Sequence, residues 1–550
     1  MIRPEAIRAI VKGDVRSDDA TRKTFSRDTS LFEVKPAVIV SPKDAEDVKR
    51  LVSYVSERKE DEPALSITAR AAGSDMTGGP LNESIILDVT THMNARSVDA
   101  VSRTAVVQPG VFFRDLEPLL DAHNLMLPPF PASKGLAALG GMIMNNCAGE
   151  KTLRYGQMRK WVNEVTMVLA DGNERTFKKI SMAELEEKKK QRDFEGLIYT
   201  KMHDMLESKY DLIKAAKPKT SKNSCGYALW DIYDREAGTF DLTQLFVGSQ
   251  GTLGMMTQAV VRLEPIKKHE RLVALFFPSW VALPDVVNAL LPLSPECMEA
   301  FDDATITLGI RFMPDVAKKA GESFFRFASR FIPEALIGIR MMRMPKLIVL
   351  VQFAEDDEKE ADRKAREVVE IVKREKFKCF ARISPSKADA DKYWTMRRES
   401  FNLLRSKVKG KRTAPFVEDF CVPPTRIPEF LPKAIALLDE HDIRANITGH
   451  AGNGNYHIIP LMDLSDPRER DKIADVAVKF NALVIAHGGT ITAEHNDGIL
   501  RTPFVESMYG KEVYDLFEQT KDILDPLGIF NPGKKVGGTL EFLKDHVVSS

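Results

Sequence analysis

The sequence predicts an α+β fold. Short β-rich runs and amphipathic helical runs follow one another without the regular strand–helix–strand winding of a parallel sheet. "WVNEVTMVLADGNERTF", from Trp161, reads as a hairpin turning at Asp171-Gly172, which requires antiparallel strands. At 550 residues the chain exceeds what one hydrophobic core usually organises, so two or more domains are expected.

The elements follow in order. "PAVIVSP", Pro36 to Pro42, is a strand, and "DAEDVKRLVSYVSERK", from Asp44, places apolar residues at helical spacing. "ALSITARA", a glycine-rich loop, "SIILDVT" and "TAVVQPGV" supply further strands and turns. Residues 181–219 are charged and helical in pattern, as expected of an exposed insertion. "FVGSQGTLGMMTQAVVRLEP" closes the first region near Pro265. "LVALFFPSWVALPDVVNALLPL" is broken by Pro278, Pro284 and Asp285, so it reads as strand, turn and helix and not as a membrane span. "KLIVLVQFAEDD" is expected as a central strand of a second unit, with the helix "EKEADRKAREVVEIVKREKF" behind it. Near the end "ANITGH" and "YHIIPL" form a hairpin, "TITAEHNDG" follows another β-rich run, and a helical tail completes the chain.

Composition narrows the function. Hydrophobic content of 43% with 29% charged suits a globular protein, and 79 basic residues balance 79 acidic ones, which gives no support for a nucleic-acid binder. The five cysteines are scattered without a C-x-x-C, which argues against iron–sulfur and zinc-ribbon sites and suits a reducing cytoplasm. "MIRPEAIRAI" is too charged for a signal peptide. Peripheral attachment at the inner membrane face and a homodimer are both compatible with this composition.

Three glycine-rich stretches carry the first chemical signal. In "ARAAGSDMTGG", Gly73, Gly78 and Gly79 permit positive φ and close approach of a ligand to the backbone, Arg70 adds charge, and Ser74 and Thr77 add hydroxyls. A pyrophosphate is the natural guest, although a plain glycine-rich connection fits the loop equally well. The G-x-G-x-x-G spacing of a Rossmann site is absent. "GLAALGGMIMNNCAGEKTLRYG" and "VGSQGTLGMMT" repeat the combination of small residues with polar ones. Three such loops in one region point to an extended ligand that touches the backbone repeatedly.

Together these stretches resemble the FAD-binding domain of the vanillyl-alcohol oxidase, or PCMH-type, flavoproteins. The C-terminal motifs resemble the D-lactate dehydrogenase, glycolate oxidase and D-2-hydroxyglutarate dehydrogenase group. The likeness runs from about Phe32 to Lys535. It implies an N-terminal helical extension over 1–31 and a PCMH-type FAD-binding domain over 32–266. A cap or substrate domain of antiparallel sheet and helices would span 267–430, and a C-terminal segment, 431–550, would return to the FAD domain. It implies FAD against Arg70, Ala72, Gly73, Ser74, Asp75, Met76, Thr77 and Gly78, with Ser133, Gly140, Gly141, Asn145, Gly149 and Arg154 along the flavin. Gly251, Thr252 and Gly254 would lie near it, and Asn531 in "IFNPGK" would return to the cofactor. Residues 69–79 contain no histidine, so the covalent attachment some relatives use is not expected.

"GHAGNGNYH" places His450 and His457 at the ends of a glycine- and asparagine-rich loop. Cross-strand neighbours about 4.5–5.5 Å apart can share an ion. A hairpin end without an ion is the plainer alternative. The family pattern implies His450, His457 and Glu494 as ligands of a divalent metal, zinc or manganese with ferrous iron conceivable, and His495 as catalytic base. Asn455 and Arg397, three residues after Trp394 in "YWTMRRESF", would contact substrate, with Arg397 on its carboxylate. The chain departs from the family at Asn453, where Asp is usual, and at Asn496, where Gly is usual, and it carries Arg501 where many relatives have a nearby lysine. The resemblance implies FAD-dependent oxidation of a 2-hydroxy acid. Quinone, cytochrome, electron-transfer flavoprotein and oxygen are all compatible acceptors. An alkyl-dihydroxyacetone-phosphate-synthase-like transferase, a flavin subunit of a larger redox complex and a flavin-free metal hydrolase stay open as alternatives.

Overall fold

A computed structural model describes residues 2–319, 321, 323–407 and 411–549, without the side chains at 308, 316, 319 and 399–407. Beside two small sheets of three and two strands, its N-terminal part holds two main ones. One has the order Asp14–Arg16, Val38–Ser41, Ile85–Asp88, Ile67–Arg70, with the last two pairings parallel. Helix Ala45–Arg58 buries Val48, Leu51, Val52 and Val55 against this sheet, the one-face spacing its sequence shows, and Asp44 caps it by accepting from the Asp47 N–H. The other sheet is wholly antiparallel: Arg96–Asp99, Thr104–Val107, Met255–Arg262, Val162–Val168, Glu174–Lys178. The hairpin expected at Asp171-Gly172 is present there, with Gly172 at φ 74°.

The second unit is built on an eight-stranded antiparallel sheet, in which Leu347–Glu355 pairs with His269–Phe277 on one side and Cys297–Asp302 on the other. Alternation along His269–Phe277 sends Val273, Leu275 and Phe277 to one core, with Val368, Ile371 and Val372 of helix Glu358–Arg374. Leu272, Ala274 and Phe276 go to a second core with Tyr393 and Trp394 of helix Lys387–Lys407. A sheet covered on both faces explains the continuous apolar runs of its strands.

Two expectations change. The hairpin Ala445–His450 and Asn455–Met462 continues this same sheet by pairing with Cys297–Asp302, so a boundary at 430 cuts through one sheet. The insertion at 181–219 is helical but not merely exposed: Ile198, Tyr199, Met202 and Leu206 of helix Phe194–Ser208 join the main core. Most of its charges face solvent and the other face packs, with Glu195 buried on that packed face and held by Lys188. All five cysteines are free. Among the described residues no helix is long and apolar enough to cross a membrane.

Candidate active site

One cavity of about 460 Å³ connects the glycine-rich loops to the histidine hairpin. Of the residues proposed for the cofactor, Ala72, Gly73, Ser74, Asp75, Met76, Ser133, Gly140, Gly141, Asn145, Gly251 and Gly254 line it. At its other end stand Arg397, Arg398, Glu418, His450, His457, Glu494 and His495. A side chain would fill the cradle: a Cβ built on Gly141 or Gly251 meets nothing nearer than Ala71 Cβ at 3.6 Å or Ala69 Cβ at 3.8 Å. Small residues here keep room for a flat ligand against the backbone, so the cradle fits the flavin that the family resemblance implies.

The remaining cofactor candidates, Arg154 apart, hold the cradle from behind. Arg70 donates to the carbonyls of Arg27 (2.7 Å) and Phe25 (3.3 Å) and stacks over the Phe25 ring. Its guanidinium backs Gly73, where a Cβ would sit 2.3 Å from Nη2. Thr77 bonds the Asp75 carboxylate, and the Gly78 N–H donates to Asp28. Thr252 pairs with Tyr227, and Gly149 packs on the Phe130 carbonyl. Arg154 reaches away to the Ala354 carbonyl (2.6 Å) and Glu355, tying the first unit to the cap sheet instead of lining the cavity. Asn531 lies behind the loops as a clamp: Nδ2 donates to the carbonyls of Gly79 (3.0 Å) and Gln250 (2.7 Å), and Oδ1 accepts from Thr68.

The hairpin register pairs His450 with Asn455 and Thr448 with His457, so the two histidines are diagonal on one face and not directly opposed. Their ring centroids are 5.4 Å apart, and His457 stacks on His495 at 5.1 Å. His450 is also the cross-strand partner of Glu299, which puts Glu299 Oε1 2.5 Å from Nδ1. "TITAEH" is not a strand. It is an irregular segment whose backbone bonds go to a side chain: Asp419 Oδ2 accepts from the N–H groups of Ala493, Glu494 and His495, and from Thr492 Oγ1. This cap turns Glu494 and His495 toward the hairpin.

The result is convergent. Glu494 Oε1 lies 3.3 Å from His450 Nε2, 3.2 Å from His457 Nε2 and 3.7 Å from His495 Nε2. Two ligands of a tetrahedral ion, each about 2.1 Å from it, are about 3.4 Å apart, so His450, His457 and Glu494 fit a divalent cation. Glu299 and Glu418, on the Nδ1 atoms of His450 and His457, are the outer partners such ligands need. Glu418, Asp419, His457 and His495 form an overlapping group. Its carboxylates are already committed, Glu418 to Arg501 at 2.7 Å and Asp419 to the backbone N–H groups, so the first set is the better site.

Electrostatics agree with that choice. Burial works to raise the pKa of Glu494, but Lys222 and His450 hold it well below the usual carboxylate range. Burial likewise opposes ionisation of Glu418, and His495 with Arg501 overcomes it. Burial disfavours charge on His495, yet Glu418 and Asp419 push its pKa up to about 10. The pocket draws positive charge.

Lys222, Glu299, Glu418 and Asp419 were not anticipated. Lys222 is fully buried and bonds Glu494 Oε2 and Asn455 Oδ1, both at 3.0 Å. Isolated charges in apolar strings, such as Glu299 in "CMEAFD" and Glu418-Asp419 in "FVEDFCV", are the signal that could have found them. Asn455 spends its amide on Lys222, Asp419 and the Phe420 carbonyl and does not line the cavity. Asn453 bonds Ser221 and does not line it either, so the missing carboxylate there leaves the lining unchanged. Arg397 lines the cavity with Nη2 3.2 Å from Glu299.

Residues 36–178 match the family profile described as an FAD binding domain, and residues 266–535 match that of the FAD linked oxidases, C-terminal domain. The chain is 28% identical over 541 residues to D-2-hydroxyglutarate dehydrogenase of Pseudomonas putida, covering 96% of this chain and 52% of that protein. It is 27% identical to D-lactate dehydrogenase of Archaeoglobus fulgidus (91% of each chain) and 25% identical to glycolate oxidase subunit GlcD of Bacillus subtilis (95% of this chain, 94% of that one). The chain spans about half the length of the D-2-hydroxyglutarate dehydrogenases of Pseudomonas putida, Escherichia coli and Pantoea ananatis that it matches. Among solved structures, 4-ethylphenol oxidase from Gulosibacter chungangensis superposes with a TM-score of 0.67 at 17% identity, covering 96% of this chain and 95% of that one. An alkyldihydroxyacetonephosphate synthase gives 0.66 at 16%, covering 97% and 86%. These likenesses are of fold.

Proposed function

The C-terminal part of the chain matches the FAD linked oxidases and its N-terminal part an FAD binding domain, and from that premise we propose that it oxidises a 2-hydroxy acid to the 2-oxo acid. The observation that carries this reading is the single cavity running from the glycine cradle to the histidine hairpin. FAD, when bound, supplies the acceptor for the hydride that leaves the hydroxyl-bearing carbon. A divalent cation on His450, His457 and Glu494 would supply Lewis acidity toward the substrate hydroxyl. Arg397 holds the substrate carboxylate with its planar fork. His495 takes the hydroxyl proton at Nε2, while Glu418 at Nδ1 fixes the ring and stabilises its charged form. That role needs a neutral imidazole at the outset, and positive charge beside Glu494 acts against the raised pKa of His495. Relatives named for D-2-hydroxyglutarate, D-lactate and glycolate define the substrate panel.

The test is anaerobic addition of those three acids to the FAD-loaded protein while flavin absorbance is followed. One of them should bleach the flavin, a chelator should abolish the bleaching, and zinc or manganese should restore it. His495→Ala should slow bleaching by about 10²-fold or more. Bleaching by none of the acids in the metal-replete protein would sink the reading and favour the transferase alternative.

A further inference from the structure

Large apolar side chains left open to solvent concentrate in one place. Of the sixteen among the described residues, eight lie between Ile310 and Met344. Helix Ile332–Met341 has two apolar faces. Ile337 and Met341 pack against the core around Tyr393, while Ile332, Leu336 and Ile339, at i, i+4 and i+7, are 59%, 61% and 72% exposed. Met342 beyond its end is 93% exposed, and Phe325 on the preceding helix Phe324–Ser329 is 83% exposed. Single exposed apolar residues need no explanation, but a contiguous stripe does.

The stripe has a charged setting. Residues 311–346 carry eight Lys and Arg against three Asp and Glu, in a chain that balances 79 with 79. Arg326, Arg340, Arg343 and Lys346 are exposed. Glu334 is turned inward, where the Lys392 ammonium (3.1 Å) and the Tyr393 hydroxyl hold it. Lys392 also bonds the Arg330 carbonyl at 2.6 Å, so the patch is fastened to the helix that carries Arg397 to the cavity.

We propose that helices Phe324–Ser329 and Ile332–Met341 dock on an anionic lipid surface. The apolar stripe enters the headgroup–acyl boundary and the basic rim meets lipid phosphates and carboxylates. A helix with an apolar face and a cationic border is the chemistry of interfacial binding. No helix among the described residues can span a bilayer, so this attachment lies in the plane of the surface. A second copy would set one basic rim against another, which like-charge repulsion opposes.

The experiment is cosedimentation of the FAD-loaded chain with vesicles of phosphatidylcholine alone and with about a third phosphatidylserine. The bound fraction should rise about tenfold on the anionic vesicles and fall as salt is added. Leu336→Ser/Ile339→Ser and Arg340→Gln/Arg343→Gln should each lose about tenfold in binding, with flavin content and substrate bleaching unchanged. Absence of binding to either vesicle, or binding that both double variants retain, would overturn the proposal. So would a dimer in size-exclusion chromatography that Leu336→Ser/Ile339→Ser dissolves.

Discussion

Lys222 shows how much a single buried charge decides. Braced on Asn455 Oδ1, it holds the outer oxygen of Glu494, leaving Oε1 to face the three imidazoles. Removing one member of a buried ion pair strands the other in a medium that cannot solvate it. Lys222→Met should therefore lower stability by about 3–5 kcal/mol, measured by denaturant unfolding. A loss under about 1 kcal/mol would show that Glu494 does not depend on the lysine. Asp28 offers a pH-dependent test at the same scale. Burial and the nearby Asp75 push its pKa from 3.8 up to about 7. A raised carboxyl pKa gives stability that is full below pH 3.8 and is lost as pH rises through about 7. Asp28→Asn cannot ionise, so its melting temperature relative to the parent should improve steadily from pH 4 to pH 8. A difference that does not move with pH would contradict this. Such residues were hidden in the sequence because a lone lysine or aspartate looks alike on a surface and in a core. His450, His457, Glu494 and His495 were legible because they sit beside glycines and asparagines in a dense local motif.

At the level of elements, the sequence announced regular structure and concealed the irregular. The strands His269–Phe277 and Leu347–Glu355 could be read from short continuous apolar runs, and the helix Glu358–Arg374 from its apolar period. "TITAEH" could not, because its β-branched residues promise a strand that Asp419 replaces with a cap from 74 to 76 residues away. The same loop explains Asn496. Its φ is +72°, the left-handed region where glycine is at ease, and its Nδ2 donates to Gly248 O (2.9 Å) and Asn145 O (3.2 Å). Asparagine exchanges conformational ease for two bonds that tie the catalytic loop to two of the cradle loops. Asn496→Ala forfeits both features and should cost about 2 kcal/mol, whereas Asn496→Gly should cost about 1 kcal/mol or less. The reverse order in thermal unfolding would show that backbone strain does not govern this position.

Over the whole molecule, the α+β class was apparent, but the seam along which the later sheet meets the glycine-rich region was not. The histidine hairpin lies far along the chain yet continues a sheet begun at His269, and pairing between distant strands leaves no mark in local sequence. Arg154 marks the seam as well. Its family position suggests the flavin, but its side chain bridges to Ala354 and Glu355. Arg154→Ala should keep a full complement of FAD and cost about 1 kcal/mol of stability. Loss of FAD with an unchanged melting temperature would return this arginine to the cofactor. The clamp at Asn531 has a temporal meaning. It knots Gly79 and Gln250 together, while neighbouring Ile529 and Phe530 lie beside Ile67. A growing polypeptide has every cradle loop long before it has this knot. The loops of the cradle are therefore tied to one another only late in synthesis, after residue 531 has been added.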